Sequence, residues 1–142
     1  MSESKDYASF RRNVVRPGDR IDRIENIVTV GMPDINFCSG GKETWIELKS
    51  PREPKRNSTP LFGSSHKLSQ DQMNWFKRQH AAGGSGFVLI ATDLRWILMS
   101  GDLADFINLA PLFELIGLCR WHCYRSAMSK QTWAALRNEL RR

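Results

Sequence analysis

The chain is predicted to fold as an α/β domain, with a mixed central sheet flanked by helices. Three observations predict it. Short apolar runs of strand length fall at 34–38, 44–49, 87–91 and 95–99. Segments carrying helix start and stop signals surround them, and one, at 70–82, lies between two strands. With 142 residues, 41% of them apolar, the chain has the size of one domain and enough hydrophobic mass for a core. That single domain, 1–142, has its core at about 20–100. A helical C-terminal part at about 102–142 packs on the core or forms a dimer surface.

The elements follow in order. Residues 3–15 read as a helix stopped by Arg16-Pro17-Gly18-Asp19. Residues 21–30 read as a strand through Ile21, Ile24, Ile27, Val28 and Val30. The strands at 34–38 and 44–49 join through Gly40-Gly41, a hairpin turn that needs positive φ. Residues 50–68, rich in Pro, Ser, Gly and Asn, form a long loop, and long loops in compact domains are functional or disordered. Ser69 caps a helix over 70–82, with Asp71 in its first turn and Gly83-Gly84 stopping it. Phe87-Val88-Leu89-Ile90-Ala91 is a continuous apolar run of the buried-strand kind, followed by a hairpin partner at 95–99. Beyond Gly101, Asp102 caps a short helix over 103–109, Pro111 starts another, and Ser129 caps a terminal helix over 129–141.

The chemistry concentrates in Gly31-Met32-Pro33-Asp34 and Trp45-Ile46-Glu47-Leu48-Lys49. Side chains alternate along a strand, so Glu47 and Lys49 share one face while Ile46 and Leu48 take the other. A hairpin brings Asp34 opposite them. Two carboxylates beside an ammonium make a place to hold a divalent ion and orient a water. Mg²⁺ favours oxygen ligands at about 2.0–2.1 Å and keeps several waters. Asp34, Glu47 and the Leu48 carbonyl supply three such oxygens, with Mg²⁺ or Mn²⁺ as cofactor. Lys49 then faces the attacking water or the developing negative charge, where a fixed cation stabilises the transition state. Such a site suits phosphodiester cleavage.

These residues resemble the PD-(D/E)xK nucleases, with Pro33-Asp34 and Glu47-Leu48-Lys49 as the matching motif. The resemblance is closest to the small VRR-NUC branch of phages and bacteria. Arg23-Ile24-Glu25-Asn26, the Gly-x-Pro-Asp turn, the Glu-x-Lys strand and Ser69-x-x-Gln72-x-x-Trp75 occur in that order, over roughly 20–100. The resemblance implies a restriction-endonuclease-like core and a metal-dependent endonuclease, dimeric and acting on branched DNA such as Holliday junctions. It also implies a further acidic residue from a helix before the first core strand. Glu3 fits that context better than Glu25, which falls in strand-like sequence and either points into the site from a neighbouring strand or pairs with Arg23 or Arg20. Gln72 matches a position that orients a water or a phosphate.

The net charge of +6 and pI near 9.6 suit a polyanionic partner, branched or duplex DNA. Distribution says more than the total. Arg52, Lys55, Arg56, His66 and Lys67 follow the Glu-x-Lys strand within the long loop. They are placed either to close over a DNA backbone or to serve as a solvated surface whose charges aid solubility, the first being preferred for its position beside the site. Apolar groups at 102–142 exceed what one sheet face needs, which fits core or a homodimer surface. A C2 dimer would match a pseudo-symmetric four-way junction.

Other patterns carry less. No apolar run nears 18 residues and the charged start is no signal peptide, so a cytosolic or nucleoid-associated protein is expected, in the host cytoplasm if phage-encoded. Three cysteines without regular spacing read as reduced, buried thiols. Cys119-Arg120-Trp121-His122-Cys123 looks like a metal clip that Cys38 would complete, but its cysteines are spaced C-x₃-C and no second pair exists, so buried thiols are the reading preferred over structural zinc. His66, His80 and His122 suggest no hydrolase triad, and Gly83-Gly84-Ser85-Gly86 lacks the Lys-Ser/Thr ending of a phosphate-binding loop. Trp75, Trp96 and Trp121 read as core. The rival readings are a nuclease for flaps, nicks or plain duplex, and a DNA-binding module that no longer cuts.

Overall fold

Six strands make one mixed sheet in simple sequence order, in a computed structural model that describes residues 2–24, 29–63 and 66–142. They are β1 (Arg20–Arg23), β2 (Ile35–Ser39), β3 (Lys42–Lys49), β4 (Gly86–Ala91), β5 (Arg95–Ser100) and β6 (Trp121–Tyr124). Neighbours run antiparallel except β3 and β4, which pair parallel with Glu47 opposite Val88 and Lys49 opposite Ile90. A parallel pair needs a crossover, and α2 (Gln70–Ala81) lies in it. The other helices are α1 (Glu3–Val14), α3 (Ala104–Ile107), α4 (Leu112–Leu118) and α5 (Lys130–Leu140).

Side-chain alternation divides the core in two. On one face α1 and α5 bring Phe10, Val14, Trp133, Leu136 and Leu140 against Ile46, Leu48, Phe87, Leu89 and Leu98. On the other, α2, α3 and α4 cover Val88, Ile90, Ile97 and Met99. Every residue of β4 is buried, which accounts for its unbroken apolar run: a central strand covered on both faces has no polar side. The β2–β3 hairpin turns through Gly40 (φ 59°) and Gly41 (φ 80°), the left-handed pair that matches strand twist. A buried ion pair closes the far end, where Arg137 meets Asp19 and also donates to the Val14 carbonyl and the Ser39 hydroxyl, each at 2.9 Å. The Arg137 guanidinium holds the Asp19 carboxyl well below the usual carboxylate range.

Three expectations are corrected. The first strand ends at Arg23, and Thr29 and Val30 belong to a turn in which the Met32 N–H donates to the Thr29 carbonyl (3.2 Å). Gly31 then takes a φ of 82°, which extended pairing cannot continue through. The segment 102–142 is not purely helical, because β6 adds a sixth strand beside β5. Its four residues alternate half-buried and exposed, a period too short to stand out from sequence. The three cysteines are free but only half-buried. Among the described residues no helix is long and apolar enough to cross a membrane.

The segment 50–68 is a loop, but a pinned one. The Glu53 carboxylate takes two hydrogen bonds from Arg95 (2.8 and 3.1 Å) and one from Thr92 (2.6 Å). Leu61, Phe62 and Leu68 enter the second core cluster. The Asn108 side chain brackets Leu68, accepting from its N–H and donating to its carbonyl, each at 2.8 Å. Three buried apolar anchors and several hydrogen bonds tie the described residues of this loop to the core.

Candidate active site

The site forms where β3 outruns β2. Pairing between them begins at Ile35 opposite Ile46, so Glu47, Leu48 and Lys49 extend past the last ladder bond. Asp34, one residue before β2, fills that gap and its Oδ1 accepts the Leu48 N–H at 3.1 Å. On a strand the N–H and C=O of one residue face the same edge, so the Leu48 carbonyl shares the Asp34 side. The turn delivering Asp34 depends on Gly31. A Cβ there would stand 2.2 Å from the Asp71 carbonyl oxygen at the start of α2, and the φ is left-handed as well. The Ile24 N–H donates to the Asp34 carbonyl at 2.7 Å and fixes the turn from the β1 side.

Electrostatics make this spot unusual. Burial, reinforced by Asp34 and Glu3 and opposed by Lys49, pushes the Glu47 carboxyl up to about 8. Burial also raises Asp34 to about 6; the Leu48 N–H and Arg23 pull against it while Glu3 adds to the rise. Two carboxylates confined together resist ionising together. The Lys49 ammonium stands 3.7 Å from Glu47 Oε2 and donates to the Lys67 carbonyl at 3.3 Å. The fold therefore confines two carboxyl groups, with one ammonium beside them, in a place little reached by water, where their ionised forms are disfavoured.

Glu3 arrives from α1. Ser2 caps that helix, its Oγ accepting the Lys5 N–H at 3.2 Å, so Glu3 is its first residue. The helix is tied to the end of β3 through the buried Asp6, which accepts from the Ser50 hydroxyl (2.8 Å) and pairs with Arg125 (2.9 Å). Ser2, Glu3, Ser50, Arg52, His66 and Asp93 line an open cavity of about 480 Å³ beside the site.

The expected site residues are thus distributed unevenly. Asp34, Glu47, Lys49 and Glu3 fall close enough to influence one another electrostatically, with the Leu48 backbone between them. Arg52 and His66 line the cavity, and Lys67 reaches Lys49 through its backbone while its side chain points to solvent. Lys55 and Arg56 stand exposed on a turn outside the cavity lining. Gln72 sits in a capping box, its side-chain oxygen accepting the Ser69 N–H at 2.9 Å and its own N–H donating to Ser69 Oγ at 3.1 Å. Glu25 lies outside the described residues. The Ser50–Asp6–Arg125 chain was not anticipated. Asp6 left one trace in sequence, a charge at helical spacing from the buried Phe10 and Val14, whereas Arg125 left none.

The donor set fits a divalent metal of the hard kind. Among the described residues, no three His, Cys, Asp or Glu side chains gather as a ready-made cage. Mg²⁺ does not require one, since it binds through one or two carboxylates and keeps waters and substrate phosphate as its other ligands. Asp34, Glu47 and the Leu48 carbonyl offer oxygens of that type, and a bound dication would offset the burial, and the added repulsion from acidic neighbours, that raise both carboxyls.

No family model matches the chain, and no curated protein matches it. Among solved structures it is similar to Hjc of Archaeoglobus fulgidus, a Holliday junction resolvase from an archaeal hyperthermophile. The two are 18% identical with a TM-score of 0.47, over 71% of this chain and 76% of that one.

Proposed function

We propose that this protein is a divalent-metal-dependent endodeoxyribonuclease of the PD-(D/E)xK type, acting on branched DNA, with the four-way junction its favoured substrate. The observation that carries the reading is the buried Glu47 with Lys49 3.7 Å from it and the half-buried Asp34 tied to the Leu48 N–H between them, set beside a cavity lined by Arg52 and His66. Asp34, Glu47 and the Leu48 carbonyl would hold Mg²⁺ or Mn²⁺. When bound, such an ion polarises the phosphoryl oxygen and lowers the pKa of an attacking water. Lys49 places a fixed positive charge where the scissile phosphate gains negative charge. Its hydrogen bond to the Lys67 carbonyl limits the directions its ammonium can take. Glu3, in the cavity lining, adds a further acidic group whose charge is felt at Asp34 and Glu47 and would favour a cation there. Arg52 and His66 meet the phosphates on either side.

A C2 dimer belongs to the same reading, because two symmetry-related sites suit paired nicks across a junction. Leu109, Phe113 and Leu118, in and just before α4, are more than half exposed, an apolar surface available for such contact. Sedimentation at several concentrations tests it, and a monomer throughout would remove the dimer.

The deciding experiment incubates the protein with a labelled four-way junction and a matched linear duplex, each with Mg²⁺, Mn²⁺ or EDTA, beside Asp34→Asn. Metal-dependent nicks confined to the junction, lost in the variant, are expected. Equal cutting of both DNAs would keep the nuclease and discard the junction preference. Binding without cutting under either metal would leave a non-catalytic DNA-binding module.

A further inference from the structure

The cavity by Glu47 does not use up the basic charge of this chain. Helix α1 leaves the site at Glu3 and carries Arg11 and Arg12, with Arg16 just past its end; all three are exposed. Acidic side chains nearby are already engaged: Asp6 by Arg125, Asp19 by Arg137 and Asp22 by Arg20. Among the described residues none of Arg11, Arg12 and Arg16 forms an ion pair, so this face keeps its full positive charge. Tyr7, Ala8, Arg11, Arg12 and Val15 surround an open groove of about 480 Å³ along it. At 1.5 Å per residue, Arg12 stands about 13 Å from Glu3 along the helix axis.

We infer that the outer face of α1 is a second phosphate-binding track, which takes the backbone of a DNA duplex arm leading away from the cleavage site. This rests on the nuclease reading above and extends it to how the substrate is held. Backbone contact is favoured over base stacking because the aromatic ring on this face, Tyr7, is covered by the Arg23 guanidinium at 4.9 Å. Contacts of this kind carry no sequence information and place the substrate by charge alone. Three guanidiniums beyond the cavity also explain how a pinned loop with few cations at the site can hold a large polyanion.

The test measures binding to a four-way junction as a function of salt in an Asp34→Asn background, with and without Arg11→Ala, Arg12→Ala and Arg16→Ala together. Loss of three phosphate contacts should make the log–log salt slope less negative by about 2–3, equivalent to roughly 40-fold less sensitivity between 50 and 200 mM salt. The triple Lys variant should restore the slope, since charge and not shape is required. Arg78→Ala, an exposed cation of α2, should leave it unchanged. Urea unfolding of each variant separates a lost contact from a lost fold. An unchanged slope in the triple Ala variant would overturn the track. So would a shift in oligomeric state in place of the slope, which would make this face an interface between copies. Should the Asp34-intact chain fail to cut any DNA, the nuclease reading falls while the slope comparison still decides the track.

Discussion

Glu47→Gln should stabilise the metal-free protein at neutral pH while abolishing cleavage. Burial and the neighbouring Asp34 and Glu3 charges move the Glu47 carboxyl from 4.5 to about 8. The unfolded chain releases this proton near the ordinary value, and the folded chain retains it across the interval. Within that window the native state binds more protons than the unfolded one, so stability falls as pH rises, by about 1.4 kcal/mol per pH unit. Between pH 5 and pH 7 this amounts to about 3 kcal/mol. Glutamine carries no charge at any pH, so the variant escapes the loss. Urea unfolding in EDTA at pH 5, 6, 7 and 8 would compare midpoints at constant slope. The two proteins should be close at pH 5 and separate progressively, with the variant ahead at pH 7. Mg²⁺ at a hundredfold excess over its Kd should then return about 2.7 kcal/mol to the wild type and little to the variant. A gap that ignores pH, or a variant less stable throughout, would show that Glu47 is not held against Asp34 in a dry site.

Four further outcomes follow from the same geometry. Lys49→Ala should lower the single-turnover cleavage rate by about 10²–10³-fold with DNA affinity retained, as for removal of one transition-state charge partner; a near-normal rate would take Lys49 out of the chemistry. Arg52→Ala with His66→Ala should reduce junction affinity and its salt dependence more than Lys55→Ala with Arg56→Ala, because only the first pair lines the cavity; titrations at two salt concentrations decide it. Gly31→Ala should displace the Asp34 turn from α2 and cost both activity and at least about 1–3 kcal/mol of stability, read by urea unfolding. Asp19→Asn should cost about 3–5 kcal/mol at pH 7 by leaving Arg137 buried without its partner. In the wild type the Asp19 contribution is present above its unfolded value near 4 and is lost as pH falls toward the much lower folded value, so the penalty should shrink in acid.

Local pattern carried most of the secondary structure, because its causes are local. Ser69 and Ser129 cap the helices whose starts they mark, Gly40-Gly41 makes the turn that only positive φ permits, and the apolar run 87–91 is a strand buried on both faces. The pairing of Asp34 with Glu47 and Lys49 was legible for the same reason: one short hairpin and two-fold alternation relate them. What depended on distant chain segments was not legible. β6 exists because β5 offers it an edge, and the described residues of the loop 50–68 take their places from contacts with Arg95, Asn108 and the second core. The arrival of Glu3 at the site needed Asp6, Ser50 and Arg125, the last 119 residues from Asp6 in the chain. Sequence by itself determined which residues could be brought together as a candidate site, Asp34 with Glu47 and Lys49, since residue type and near-neighbour spacing are written in it. Tertiary structure alone decided how dry that chemistry is, which cations stand beside it and which stand apart, because burial and long-range ion pairs arise only when separate elements pack together.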